Sequence, residues 1–398
     1  MKAGWKSNQL GETVQFVDYR GKTPPKVELG IRLITAKNVK MGYIQREPLE
    51  FIDPAVYDTW MTRGYPRRGD VLFTTEAPLG NVAQLDTDET VVIGQRLITM
   101  KVNPETVDSA FLKYALLSPQ MQEQIRLRAT GATVSGIKAS LLRKVPFSYP
   151  SLAEQKRIVA ILDEAFEGLA RARTYAESNT QDSSRLYWAG LDTVFKVQAR
   201  SWPQVRLPEV CADFGRGKSQ HRPRNDPKLY GGTVPFIQTG EISRAGHFIN
   251  TCEQTYSQFG LAQSKKWPRG TVCIAIVGAT IGESAILDFE ACFPDSVIGM
   301  NPDVRKADPE YIYYLLQYYK PQLKEAGKGS ARDNINLATF TDRLFPMPEY
   351  DVQRCVVESL NDLAVSTENL ANAYKQSVDD IDILRQSLLQ KAFSGELT

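Results

Sequence analysis

Two stretches of the chain, residues 151–196 and 349–398, carry apolar residues at alternating steps of four and three. In the first, Ile158, Leu162, Ala165, Leu169, Ala172 and Ala176 lead on to Leu186 and Gly190. In the second, the series is Val356, Leu360, Leu363, Leu370, Tyr374, Ile381, Leu384 and Leu388. A 3.5-residue period keeps one face turned inward when two helices wind about each other. Adding 198 to the first series gives the second without a gap, except that Leu169 falls on Thr367 and Ile381 answers Ser183. A helix of about 40 residues spans roughly 60 Å at 1.5 Å per residue. It is poorly stable unless its seam is covered, and its own copy is the obvious partner. A lone heptad stretch would fit a plain dimerisation rod. Two equal copies, each following a globular segment, indicate a duplicated chain.

The globular segments carry the same signature. Trp5, Leu10-Gly-Glu12 and Arg20-Gly-Lys22 are answered by Trp202, Leu207-Pro-Glu209 and Arg216-Gly-Lys218. Short β-like runs follow at 32–35 and 234–237, then at 69–74 and 270–275, then at 78–85 and 279–287. Runs bounded by Gly, Pro, Asn and Asp predict a mainly β, barrel-like domain. Asn103-Pro104 and Asn301-Pro302 each precede an amphipathic helix, at 111–117 and 311–316. A Gly/Ser/Thr loop and a proline-marked strand then lead into each long helix. Ser151 and Glu154 form a capping box at the head of the first, and the second has no Ser/Thr cap. A period near 200 occurring twice is a tandem duplication. The expected architecture is α+β: two tandem mixed, mainly β domains and a pair of long antiparallel coiled-coil helices, with pseudo-two-fold symmetry. The boundaries are 1–150, 151–198, 199–348 and 349–398.

Charge is unevenly placed. Residues 1–150 hold 20 Lys/Arg against 15 Asp/Glu, and 202–348 hold 17 against 15, whereas 349–398 hold 4 against 9. The domains, rather than the rods, are suited to face a polyanion. No apolar run is long enough to span a membrane, and the start lacks a signal-peptide core, which predicts a cytoplasmic protein. The 5 cysteines form no C-x-x-C pair and read as reduced, mostly buried thiols. The 2 histidines, His221 and His247, lie beside no ligand-like cluster, so no metal site is expected.

The chain resembles the specificity subunit of type I restriction-modification enzymes over essentially its whole length. The resemblance rests on Trp5 with Leu10-Gly-Glu12, and on Pro150-Ser-Leu-Ala-Glu-Gln-Lys-Arg-Ile-Val159. It also rests on the closing Leu384-Arg-Gln-Ser-Leu-Leu-Gln-Lys-Ala-Phe-Ser-Gly-Glu-Leu397. It implies two target-recognition domains, each reading a half-site of double-stranded DNA across a gap of unread bases. It implies long helices that dock two modification subunits, which bind S-adenosylmethionine and methylate adenine. Restriction subunits using ATP and Mg would complete the complex. Partner contacts are then expected at Glu154, Gln155, Arg157, Gln353, Arg354 and Phe393. The second helix opens Asp351-Val-Gln-Arg354 and departs from the Glu154-Gln-Lys-Arg157 pattern, which puts the equivalence of the two docking sites in doubt.

Candidate DNA contacts follow from residue type and position. A glycine between two cations, as in Arg20-Gly-Lys22 and Arg216-Gly-Lys218, lets a backbone approach phosphates, although a solvated turn has the same composition. Thr130, Thr133, Ser135 and Lys138, with Lys328, Ser330, Arg332 and Asn334, form polar loops of little bulk. Arg suits guanine, and Asn or Gln suits adenine. By this rule Lys37, Asn38, Gln95, Arg96, Gln238, Thr239, Arg332 and Asn334 are the strand-end candidates. Tyr311, Tyr313 and Tyr314 read as packing residues.

Catalytic signatures are missing from the sequence. Asn103-Pro-Glu105 and Asn301-Pro-Asp303 lack the second proline and the ring that would hold a flipped adenine. No ATP-binding or H-E-x-x-H motif occurs, so no cofactor is expected on this chain. The specificity subunit of a two-subunit type II enzyme and a protein-only coiled-coil scaffold are the alternatives.

Overall fold

The computed structural model describes residues 4–19, 24–131, 135–327 and 334–397. It separates into two compact units that do not follow chain order: Met1–Glu177 with Lys375–Thr398, and Ser178–Tyr374. Each unit therefore holds one globular domain and part of both long helices.

In unit 1 the antiparallel sheet runs in the order Val14–Asp18, Leu97–Val102, Val71–Thr74, Val82–Gln84. A second sheet runs Lys26–Val27, Phe51–Ile52, Ile31–Ile34, Val91–Ile93, with its last pair parallel. Side chains alternate across a strand. Val71 and Phe73 thus join the core beneath the helices, while Leu72 joins the core between the sheets. Both faces of Val71–Thr74 are covered, which explains why all four residues are buried. Unit 2 repeats this plan. Cys211–Arg216, Val297–Pro302, Val272–Ala275, Ser284–Leu287 and Phe248–Ile249 form one sheet. Gln254–Tyr256, Tyr230–Phe236, Ala291–Cys292 and Lys266–Trp267 form the other. These are layered open sheets, not the barrel that short strands suggest from sequence.

Each domain is closed by its own ends: Lys6–Gln9 pairs with Pro146–Tyr149, and Gln204–Val205 with Phe345–Pro346. Beside the first pair, Gln9 N–H donates to Glu12 Oε2 at 2.9 Å. A side chain at Gly11 would meet Arg143 Cβ at 2.7 Å, so the Leu-Gly-Glu turn is an anchor packed against its own domain.

The long helices are Leu152–Asp192 and Tyr350–Ser394. Within unit 1, Ile158 and Leu162 share a core with Leu389 and Ala392, and Arg173 pairs with Asp382 at 2.7 Å. Within unit 2, a side chain on Gly190 would meet Leu363 at 2.1 Å. Early residues of one helix thus meet late residues of the other, and the pair is antiparallel. Buried positions repeat at the expected shift of 198: Gln155/Gln353, Ile158/Val356, Leu162/Leu360 and Leu191/Leu389. The middle of the seam differs from expectation. Leu186, Leu370 and Leu384 are 50%, 42% and 47% exposed, while Ser183 and Thr367 are buried. Ser183 and Leu186 lie on one strict 3.5-residue path, as do Thr367, Leu370 and Leu384, so that period alone does not separate the buried positions from the exposed ones.

Of the cysteines, Cys273 and Cys292 are buried, Cys211 and Cys252 half-buried and Cys355 exposed, fewer buried than expected. Among the described residues, no helix is long and apolar enough to cross a membrane.

Candidate nucleic-acid interface

Strand direction decides which loops meet. In unit 1, Ile31–Ile34 runs parallel to Val91–Ile93, so both strands release their loops at one end. Val14–Asp18 and Val71–Thr74 pair antiparallel with Leu97–Val102, with Asp18 opposite Ile98 and Thr74 opposite Leu97. Their last residues arrive at the same end. Gly136 adds a fifth segment by bridging to both Glu76 and Thr130, and Ile137 N–H donates to Thr75 O at 2.9 Å.

Unit 2 builds the same end. Tyr230–Phe236 runs parallel to Ala291–Cys292. Arg216 lies opposite Ile298, and Ala275 opposite Val297. Val277 bridges to Asn334, and Ile335 N–H donates to Ile276 O at 2.9 Å.

The sequence-predicted residues divide into three groups. Arg20, Lys22, Thr133, Lys328, Ser330 and Arg332 lie outside the described residues. Lys37, Gln95, Arg96, Thr130 and Lys138 of unit 1, and Arg216, Lys218, Gln238, Thr239 and Asn334 of unit 2, lie on the converging loops or next to them. Of these, Lys37, Lys138, Arg216 and Lys218 are exposed and form no ion pair among the described residues. Gln238 is exposed but already donates to Gln254 Oε1 at 2.8 Å.

Asn38 is the exception. It is fully buried, accepts from Thr35 N–H at 3.0 Å and donates to Pro48 O at 3.0 Å. Its amide ties a loop together and has no free edge for a base. Gly217 also acts differently than expected. A side chain there would meet Phe293 O at 2.2 Å, so the glycine lets two protein strands approach rather than a phosphate.

The converging ends also bring together residues that were not foreseen. Glu76 meets Arg96 Nε at 3.0 Å, and Arg224 meets Asp295 at 2.6 Å. Glu76 lies just past the run at 69–74 and Val277 just past its echo at 270–275, so superposing the repeats would have found this position. Near Arg224, the Asp226 carboxyl is held below the usual range by the Lys228 backbone N–H and then by His221. A shallow cavity of about 580 Å³, lined by Arg32, Arg46, Asp86 and Glu89, sits by the opposite ends of strands 31–34 and 91–93 and takes no part in this face.

The expected partner-contact residues also redistribute. Gln155 and Gln353 are fully buried. Gln155 accepts from Asp108 N–H (2.8 Å) and donates to Thr106 O (3.0 Å) and Pro150 O (2.9 Å). Gln353 accepts from Asp308 N–H (2.9 Å) and donates to Lys306 O (2.9 Å) and Pro348 O (2.8 Å). Each amide latches a long helix to its domain and is unavailable to a partner. The Phe393 ring packs 5.2 Å from Phe111. Arg157 is exposed, Glu154 half-buried, and Arg354 lies 3.6 Å from Glu358.

The type I restriction modification DNA specificity domain model matches residues 61–174 and 200–378. A putative type I restriction enzyme specificity subunit, MjaX, of Methanocaldococcus jannaschii is 21% identical over 374 residues, covering 90% of this chain and 83% of the relative. The EcoBI specificity subunit of Escherichia coli is 22% identical over 337 residues, covering 78% and 70%. Among solved structures, a chain from work on complex assembly and conformational transition of the type I R-M system superposes with a TM-score of 0.78. It is 22% identical, covering 100% of this chain and 99% of the other. The HsdS subunit of Thermoanaerobacter tengcongensis gives 0.66 at 22% identity, covering 100% and 98%.

Proposed function

The chain belongs to the type I restriction-modification DNA specificity family, and from that premise we propose that it reads a bipartite, asymmetric site in double-stranded DNA. Each recognition unit takes one half-site, and the long helices dock modification subunits carrying S-adenosylmethionine. Restriction subunits using ATP and Mg join the same assembly, which works in the cytoplasm. The chain is the recognition member of the system and is non-catalytic.

The observation that carries this reading is the repeated strand-end face. In both units, loops from several strands converge and present exposed cations and amides, the groups that meet phosphates and base edges. The two faces differ in sequence, which makes the combined site asymmetric. Tethering two weak readers makes the second contact intramolecular and raises overall affinity.

The test is to co-purify the chain with a modification subunit and footprint duplex DNA. Two protected patches with an accessible gap are expected. One contiguous patch, or none, rejects the proposal. Binding should weaken with salt, since each neutralised phosphate contributes a slope of about −0.9 in log K against log salt.

A further inference from the structure

Three backbone positions of unit 1 have counterparts in unit 2. Thr75 N–H donates to Arg96 O at 2.9 Å, and Ile276 N–H donates to Ser296 O at 3.0 Å. Ile137 and Ile335 donate to Thr75 O and Ile276 O, both at 2.9 Å. Glu76 bridges Gly136, as Val277 bridges Asn334. The framework residues Thr75 and Ile276 are buried. Glu76, Arg96 and Gly136 thus stand where Val277, Ser296 and Asn334 stand in the other unit.

The side chains at these positions differ in chemistry. Arg96 has φ +72°, a left-handed conformation uncommon for a residue with a side chain. Such strain persists where surroundings over-determine it, and it clusters at functional sites. Here the Arg96 carbonyl is held by both the backbone N–H and the hydroxyl of Thr75. The guanidinium meanwhile stays about half exposed beside Glu76. An exposed pair of this kind contributes little to stability. Its closest approach is through Nε at 3.0 Å, the nitrogen that a contact through both Nη groups does not use.

We infer that these triads are base-reading positions, and that they read a G·C pair in the half-site of unit 1 and an A·T pair in the half-site of unit 2. The inference rests on the reading that each unit meets duplex DNA. Arg96 presents its fork to guanine O6 and N7, while Glu76 accepts from cytosine N4. In unit 2, Asn334 offers the donor and acceptor that match adenine N6 and N7, and Val277 is an apolar neighbour for the thymine methyl.

The test uses the full chain assembled with its modification subunits, methylating a random-sequence duplex library with S-adenosylmethionine. Arg96→Gln should relax one G·C position by between about 5-fold and about 150-fold and leave the other half-site unchanged. Glu76→Gln should relax the same position, and Asn334→Ala one A·T position in the opposite half. Unchanged preferences, equal loss at every position, or relaxation in the wrong half would overturn the assignment. Should Arg96→Gln fail to co-purify with its partners, Glu76→Gln decides the question, since it keeps the shape of the loop. A wild-type complex with no sequence preference would instead reject DNA reading itself, and the two failures are therefore distinguishable.

Discussion

Unit 1 and unit 2 share their attachments and differ in their fillings. Both fasten a long helix with a buried glutamine that makes three hydrogen bonds to matching backbone groups. Both hold their strand-end loops with the same backbone bonds. In unit 1, however, the helix after the sheet breaks between Ser109–Leu117 and Pro119–Arg126, with Ser118 capping the second piece. In unit 2 the equivalent helix runs on as Pro309–Gly327. Tyr318 there stacks on Phe195 at 5.4 Å, and Tyr319 meets Phe345. A duplicated fold keeps what joins domain to helix and lets the packing around that joint diverge.

The comparison is broken most severely at the latches. Gln155→Leu and Gln353→Leu each leave a buried N–H and two carbonyls unpaired, at about 1–3 kcal/mol per group. A loss of about 3–5 kcal/mol is expected in urea unfolding, similar for both if the latches are equivalent. Tyr318→Ser gives unit 2 the smaller side chain of unit 1 and should cost about 2 kcal/mol through the lost ring contact, whereas Ser118→Ala, which removes a cap, should cost about 1 kcal/mol. Gly190→Ala forces Leu363 aside. Because the obstacle is the tip of a flexible side chain, a loss of about 1 kcal/mol is expected in thermal melting.

The smallest effect is acid sensitivity confined to unit 2. Burial beside Phe248 and Tyr313 pushes His247 below its ordinary value of 6.5, against the opposing charge of Glu310. The unfolded chain therefore takes up this proton first. The contribution is complete above the unfolded value and is lost as pH falls through it toward the folded one. Unfolding midpoints at pH 7.5 and 5 should differ less in His247→Phe than in the unmodified chain.

Much of this fold is legible in the sequence because the strongest signal, a seam repeated at a shift of 198, needs no tertiary information. The strands at 71–74 and 272–275 are similarly plain as apolar runs between turns. The site is harder to read. Gln155 lies among Glu154, Lys156 and Arg157 and has every local mark of a surface residue. The groups that bury it, Thr106 O and Asp108 N–H, arrive from a different part of the chain. Asn38 is hidden within its own loop, by the carbonyls of Gln45 and Pro48. Leu186 shows the converse: its apolarity and its place in the 3.5-residue series both suggest the seam, yet it is half exposed. Residue type announces what a side chain can do, but long-range contacts decide whether it is free to do it.

The interleaving of the two units has a consequence for synthesis on the ribosome. Unit 2 is built from one uninterrupted stretch, 178–374, and can finish packing as soon as that stretch has emerged. Unit 1 is begun first, yet Ile158 and Leu162 face Leu389 and Ala392, which are made more than two hundred residues later. The first domain therefore waits with an open flank while the second is completed, and the earlier-made domain is the later one to close.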